Sequence, residues 1–194
     1  MNMARPQKYT QDQVILSAGA LFKQLGYRAT SIDQLLEVTN LSRSSLYNGF
    51  GNKEALYIKV LDQFANESAC LYPEASTDPD PSAFIRSFYR SYFSDHSAHK
   101  PGVGCLLINT IVELSDTEPE LVEHAMKYLN VAEQSLSFYF SRSQNAGNLP
   151  GHLNPQSLAR FFMHIKQGLM VSVRNGTPLE ELSDIVETSL EILK

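Results

Sequence analysis

The sequence predicts an all-α protein of about nine helices, on three observations. Apolar residues recur at three- and four-residue spacing along nearly the whole chain. No stretch keeps a two-residue alternation long enough for a strand, and there is no internal repeat. Finally, Gly, Asn and Pro fall between the periodic segments, at Gly26, across Asn145 to Pro155 and at Gly176.

Val14, Ile15, Ala18, Leu21, Phe22 and Leu25 predict a first helix that stops at Gly26. Residues 30–53 then spell two short helices joined by a tight turn. Thr30 is placed to cap the first of them at the Asp33 amide, with the Asp33 carboxylate reaching back to the cap amide. Ile32, Leu35 and Leu36 form its apolar stripe. Asn40 lies in the turn, where a left-handed residue is needed and Asn tolerates positive φ, and Leu41 is expected to lock the corner. Ser42 caps the second helix, in which Arg43, Ser44, Ser45, Tyr47 and Asn48 leave only Leu46 and Phe50 facing inward. A helix this short and polar is not held by its own burial, so its outward face is expected to have a partner; the pattern is a helix-turn-helix and the expected partner is DNA.

Asn52 is the expected cap of a fourth helix, Lys53 to Ala69, with Leu56, Val60 and Phe64 on one face. Tyr72 to Pro81, with three prolines, reads as the linker between domains. Phe84, Ile85, Phe88, Tyr89, Tyr92 and Phe93 make a broad aromatic stripe. Val103 to Leu114 is apolar nearly all round, the mark of a buried helix. A long helix from Glu118 to about Gln144 is opened by Pro119. Two more follow the Asn145 to Pro155 loop: one carrying Leu158, Phe161, Phe162, Ile165, Leu169 and Val173, and a last one carrying Leu179, Leu182, Ile185, Val186, Leu190 and Leu193.

The 194 residues carry a net charge of −5, placed unevenly. Residues 1–62 hold 7 Lys and Arg against 5 Asp and Glu, a net of +2; residues 63–194 hold 9 against 16, a net of −7. The basic end is the end with the motif. The first thirteen residues have Arg5 and Lys8 but no apolar core of a secretory signal, and no apolar run approaches the ~20 residues of a membrane helix. Two cysteines, Cys70 and Cys105, are too few for a disulfide scaffold. These features predict a reduced, cytoplasmic protein.

Residues Val14 to about Phe64 resemble the N-terminal domain of the TetR-type transcriptional repressors. The resemblance rests on Phe22, Gly26 and Tyr27, then Thr30, Ser31 and Ile32, then Leu46, Tyr47, Phe50, Lys53, Glu54 and Leu56, in that order and spacing. Gly104-Cys105-Leu106-Leu107 with Glu113-Leu114, and Gly168-Leu169 with Gly176, look like one subgroup of that family. Gly49 departs from the pattern, standing where family members commonly have His or an aromatic residue. The resemblance implies a DNA-binding unit, residues 1–52, and a helical ligand-binding and dimerisation unit, residues 53–194.

Arg43, at the exposed start of the second motif helix, is the candidate for direct base reading, because its guanidinium donates two bonds to guanine O6 and N7. Ser44, Ser45 and Asn48 share its face, and Ser42 begins it. Tyr47 and Lys53 match family positions that hold the phosphate backbone; Lys53 also lies at a helix N-terminus. Thr30, Ser31, Arg28, Arg5 and Lys8 are further phosphate candidates.

In the second unit Phe88, Tyr92, Cys105, Asn109, Met126, Phe162, His164 and Gln167 form a candidate pocket. Mixed aromatic, sulfur and isolated amide groups suit a moderately apolar small-molecule effector. Against it stands the plainer reading of aromatic and Met stripes as core. Cys105, in its Gly-Cys-Leu context, raises the alternative of oxidant or electrophile sensing if Arg174 or Lys166 lies near, but a thiol in an apolar helix is more often inert. His96 and His99 with His164 or Cys105 make no tight metal-ligand pattern, so no metal and no cofactor is expected. No Gly-x-Ser-x-Gly, Walker loop, dinucleotide fingerprint or His-Glu-x-x-His is present, and no enzyme is expected.

These expectations amount to a ligand-responsive repressor acting on a palindromic double-stranded operator as a homodimer. Its interface is expected from Phe161, Phe162, Ile165, Leu169, Val173, Leu182, Val186 and Leu190. The alternative from another class is a helical dimeric scaffold without DNA binding.

Overall fold

A computed structural model describes residues 10–69, 78–98 and 104–194, with side chains over 10–67, 78–90 and 104–194. The described residues form nine α-helices and a final 3-10 turn, with no strand among them. They fall into two compact units, Met1–Phe64 and Ala65–Lys194.

In the first unit, α1 (Gln11–Leu25) is opened by a Thr10–Gln13 capping box and buries Val14, Ala18 and Phe22 at four-residue spacing. It stops at Gly26, whose φ of 87° is a left-handed value that only glycine adopts freely. α2 (Ile32–Thr39) follows, and here the cap differs from the expected one by a residue. Ser31, not Thr30, accepts from the Gln34 amide, while the Gln34 side chain accepts from the Ser31 amide at 2.8 Å. Thr30 is fully buried, and its hydroxyl donates to the Gly26 carbonyl at 2.7 Å, satisfying an orphan acceptor at the end of α1. With the box closed by Gln34, the Asp33 carboxylate is not used for capping.

Asn40 has φ 53° and ψ 34°, the left-handed turn expected of it, and Leu41 is buried behind the corner. Ser42 caps α3 (Arg43–Phe50) by accepting from the Ser45 amide at 3.1 Å. Leu46 and Phe50 are the buried residues of α3. They anchor the helix, and truncating either to Ala would cost about 2–5 kcal/mol. Asn52 accepts from the Ala55 amide at 2.7 Å and opens α4 (Lys53–Ala69). The early turns of α4 belong to the first core: Tyr57 meets Phe22 edge-on at 4.7 Å and Tyr27 at 4.8 Å. A Cβ on Gly19 of α1 would meet Val60 at 3.2 Å, so these two helices approach closely because Gly19 has none.

The second unit contains α5 (Pro81–Ala98), α6 (Leu106–Leu114), α7 (Pro119–Asn145), α8 (Pro155–Arg174) and α9 (Leu179–Leu190), with a 3-10 turn at Glu191–Leu193. The long α7 packs on α6 and α8, and α9 packs on α5 and α8. Aromatic rings join α5 to α7 and α7 to α8, with Phe84 and Tyr139 at 4.3 Å and Phe140 and Phe162 at 5.6 Å. Across α5 and α8, Tyr89 donates its phenol hydrogen to the Phe162 carbonyl at 2.7 Å. Asn154 caps α8 with Pro155 at its first position. Arg86 of α5 holds Glu187 of α9 through two bonds, at 2.7 and 2.8 Å.

α6 differs from the all-round buried helix expected over Val103–Leu114. Val103 lies outside the described residues; Gly104 is left-handed at φ 57°, Cys105 is the N-cap, and the helix begins at Leu106. A Cβ at Gly104 would meet the Asn109 amide oxygen at 3.3 Å, which with the positive φ disfavours any side chain at this turn. Leu106, Leu107, Ile108 and Leu114 are buried, but Val112 is 75% exposed, so one side of α6 faces out. The expected linker, Tyr72 to Pro81, lies mostly outside the described residues.

Candidate nucleic-acid interface

The outward side of α3 is built by subtraction. Leu46 and Phe50 point into the core, and Arg43, Ser44, Tyr47 and Asn48 are exposed. Ser44 and Asn48, four residues apart, stand one above the other, with Tyr47 beside them. The Ser42 hydroxyl lies 3.0 Å from that of Ser44 and 2.8 Å from that of Ser45. Ser45, half-buried, is thus turned toward the cap rather than outward. Arg43 sits at the edge nearest α2, where its Nη2 donates to Asp33 Oδ1 at 2.6 Å.

Lys53 lies at the first residue of α4, its Nζ 4.3 Å over the ring of Tyr27. Ser31 and Arg28 are exposed on the same unit. Thr30 does not join them: its hydroxyl is buried and committed to Gly26, so it holds the α1–α2 corner. Arg5 and Lys8 lie outside the described residues. Asp33 was not among the residues the sequence pointed to, except as a cap; the signal available was the competing Ser31-x-x-Gln34 box, which frees its carboxylate.

The expected pocket residues are not all brought together. Phe88 and Phe162 are buried on α5 and α8, Cys105 and Asn109 lie at the start of α6, and Gln167 is half-buried. Met126 is 46% exposed and lies instead in an open groove of about 750 Å³ along α7, with Ser115, Glu123 and Gln134. His164 faces solvent, a ring nitrogen 2.8 Å from the Arg160 carbonyl. Side chains on the outer flank of a helix share the spacing of those inside, which is why periodicity alone admitted both. The side chains of Tyr92 and His96, together with His99, lie outside the described residues, and no group of three metal-ligating side chains gathers among those described. Lys166 is the unexpected member of this region: it is 3% exposed, with Nζ 5.5 Å over the ring of Phe88. It lies four residues after Phe162 and four before Met170, on the apolar stripe itself.

The expected dimer surface also needs correction. Phe162, Leu169, Leu182, Val186 and Leu190 are buried within the chain and are core. The apolar side chains of α8 and α9 that remain outside are Val171, Leu179 and Ile185, each at least 41% exposed, with Phe161, Ile165 and Val173 half-buried. No helix among the described residues is long and apolar enough to cross a membrane.

Comparison with known proteins accounts for both units. The HTH-type transcriptional repressor ComR of Escherichia coli is 28% identical over 190 residues, spanning 97% of this chain and 90% of ComR. The repressor BdcR of Escherichia coli is 23% identical over 191 residues, 98% of this chain and 92% of BdcR. A solved structure of a cysteine-substituted TetR family regulator CifR, complexed with 26-base-pair operator DNA, has the same fold. Its TM-score is 0.89 at 20% identity, covering 98% of this chain and 100% of that one. Residues 15–60 match the bacterial regulatory proteins of the tetR family, and residues 81–181, half of the chain, match the tetracyclin repressor-like C-terminal domain. With a helix-turn-helix at one end and that C-terminal domain at the other, the chain belongs to the tetR family and is a transcriptional regulator.

Proposed function

We propose that the protein is a repressor that seats α3 in the major groove of a palindromic operator and is released by a small molecule bound in the second unit. The observation that carries the DNA half is α3 itself. It is eight residues long, anchored by Leu46 and Phe50, with Arg43, Ser44, Tyr47 and Asn48 exposed beside one another. On this reading Arg43 takes guanine O6 and N7, Ser44 and Asn48 meet base edges or phosphates, and Ser31, Tyr47 and Lys53 hold the backbone. Ser42 and Ser45 set the helix start, whose amides face the same anion.

The protein works in the cytoplasm as a homodimer joined through the outer faces of α8 and α9, so that two copies of α3 read half-sites one helical turn or more apart. The effector is moderately apolar and binds among α5, α6 and α8, near Phe88, Asn109 and Gln167. An effector that favours the geometry unable to span both half-sites lowers operator affinity, and operator lowers effector affinity by the same factor. No catalytic step is assigned to the chain.

Selection of bound duplexes from random DNA tests this reading. A two-fold symmetric consensus is the expected result; retention of duplexes without any shared sequence would overturn it.

A further inference from the structure

The contact between Asp33 and Arg43 joins the first turn of α2 to the first residue of α3, across ten positions of sequence. Stability gives little reason for it. The two side chains are 82% and 56% exposed, and exposed ion pairs of this kind contribute almost nothing to folding. Arg43 moreover stands at the positive end of α3, where a cation is disfavoured. The capping duty that would otherwise occupy Asp33 is met by Gln34.

We propose that Asp33 is a positioning residue for base recognition: it fixes the Arg43 guanidinium at the edge of α3 and penalises DNA that Arg43 cannot read. This rests on the reading that α3 enters the groove. The bond to Asp33 uses one Nη2 hydrogen of the five N–H donors on the guanidinium, and guanine needs only two. An arginine already held in place loses less side-chain freedom on docking than a mobile one. The carboxylate also has a repulsive role. Its charge repels the backbone of any duplex; where guanine is present the two bonds of the already positioned Arg43 outweigh that repulsion, and where guanine is absent nothing does. Asp33 therefore lowers affinity for wrong sequences more than for right ones.

The experiment compares wild type, Asp33→Asn, Arg43→Ala and the double variant on the selected operator, on operators altered at each base pair, and on random duplex. Asp33 is exposed and its cap is made by others, so the variants are expected to keep the wild-type melting temperature and helix content. Asp33→Asn is expected to bind random duplex more tightly while the operator-to-random ratio falls about fivefold or more. That loss should be confined to the base pair relaxed by Arg43→Ala. In the Arg43→Ala background, Asp33→Asn should change operator and random duplex by the same factor, and Asp33→Glu should restore part of the ratio. An unchanged base preference in Asp33→Asn, or an equal loss with and without Arg43, would overturn the proposal. A wild type that shows no preference for any duplex would instead remove the functional reading on which it rests.

Discussion

The Thr30 hydroxyl donates to the Gly26 carbonyl at 2.7 Å, and this part-buried bond, rather than a helix cap, is what the threonine supplies. It closes the chain reversal between α1 and α2 and so sets where the helix-turn-helix begins. Thr30→Val keeps the shape and removes the donor, leaving the carbonyl short of a partner. The expected cost is about 1–3 kcal/mol, read as a lower urea midpoint. A variant of unchanged stability with weaker DNA binding would put Thr30 on a phosphate instead.

The paired bonds from Arg86 to Glu187 tie α5 to α9 and hold the Glu187 carboxyl below its ordinary value, chiefly through the hydrogen bond to Arg86. A carboxyl depressed in the folded state stabilises the fold above its unfolded value and loses that contribution as pH falls through the folded one. Glu187→Gln should accordingly lower the melting temperature slightly at neutral pH and narrow its gap to wild type on acidification below the ordinary glutamate range. Both groups are partly exposed, so the effect is small. A gap that widens on acidification would contradict the sign.

Ile185 and Val171 remain 41% and 48% exposed on helices whose Leu169, Met170, Leu182 and Val186 are buried. If a second copy covers them, the wild type sediments as a dimer at micromolar concentration and Ile185→Glu shifts it toward monomer without loss of helix content. A monomeric wild type would remove the assembly.

Cys105 is 5% exposed at the turn preceding α6. A thiol closed off from solvent reacts slowly, so peroxide is expected to leave the operator complex intact and Cys105→Ser to leave effector release unchanged. Release of wild type by peroxide, lost in Cys105→Ser but kept in Cys70→Ser, would make the protein an oxidant sensor.

Much of this organisation was legible where local chemistry decides conformation. Asn40 in the left-handed turn, the Ser42 and Asn52 caps, and Gly26 as the end of α1 each follow from one residue and its neighbours. The choice between Thr30 and Ser31 as cap was not, because both begin a box of the same form and a carbonyl at Gly26 settles the matter. Nor does spacing separate Phe162 from Phe161, or Leu169 from Val171: each pair lies on an apolar helix, and only the packed fold decides which member is core. The pairing of Asp33 with Arg43 depends on the angle between two helices, which the pattern of residues does not encode by itself.

The most direct test of DNA reading by α3 is the affinity of wild type, Arg43→Ala and Lys53→Ala for the selected operator and for random duplex over a range of salt. Wild-type affinity should fall linearly with the logarithm of salt concentration. Arg43→Ala should cost about 1–3 kcal/mol on the operator and relax one base pair per half-site, while Lys53→Ala should weaken both duplexes alike and flatten the salt slope. Binding that is indifferent to salt, or equal effects of the two variants on operator and random duplex, would contradict it.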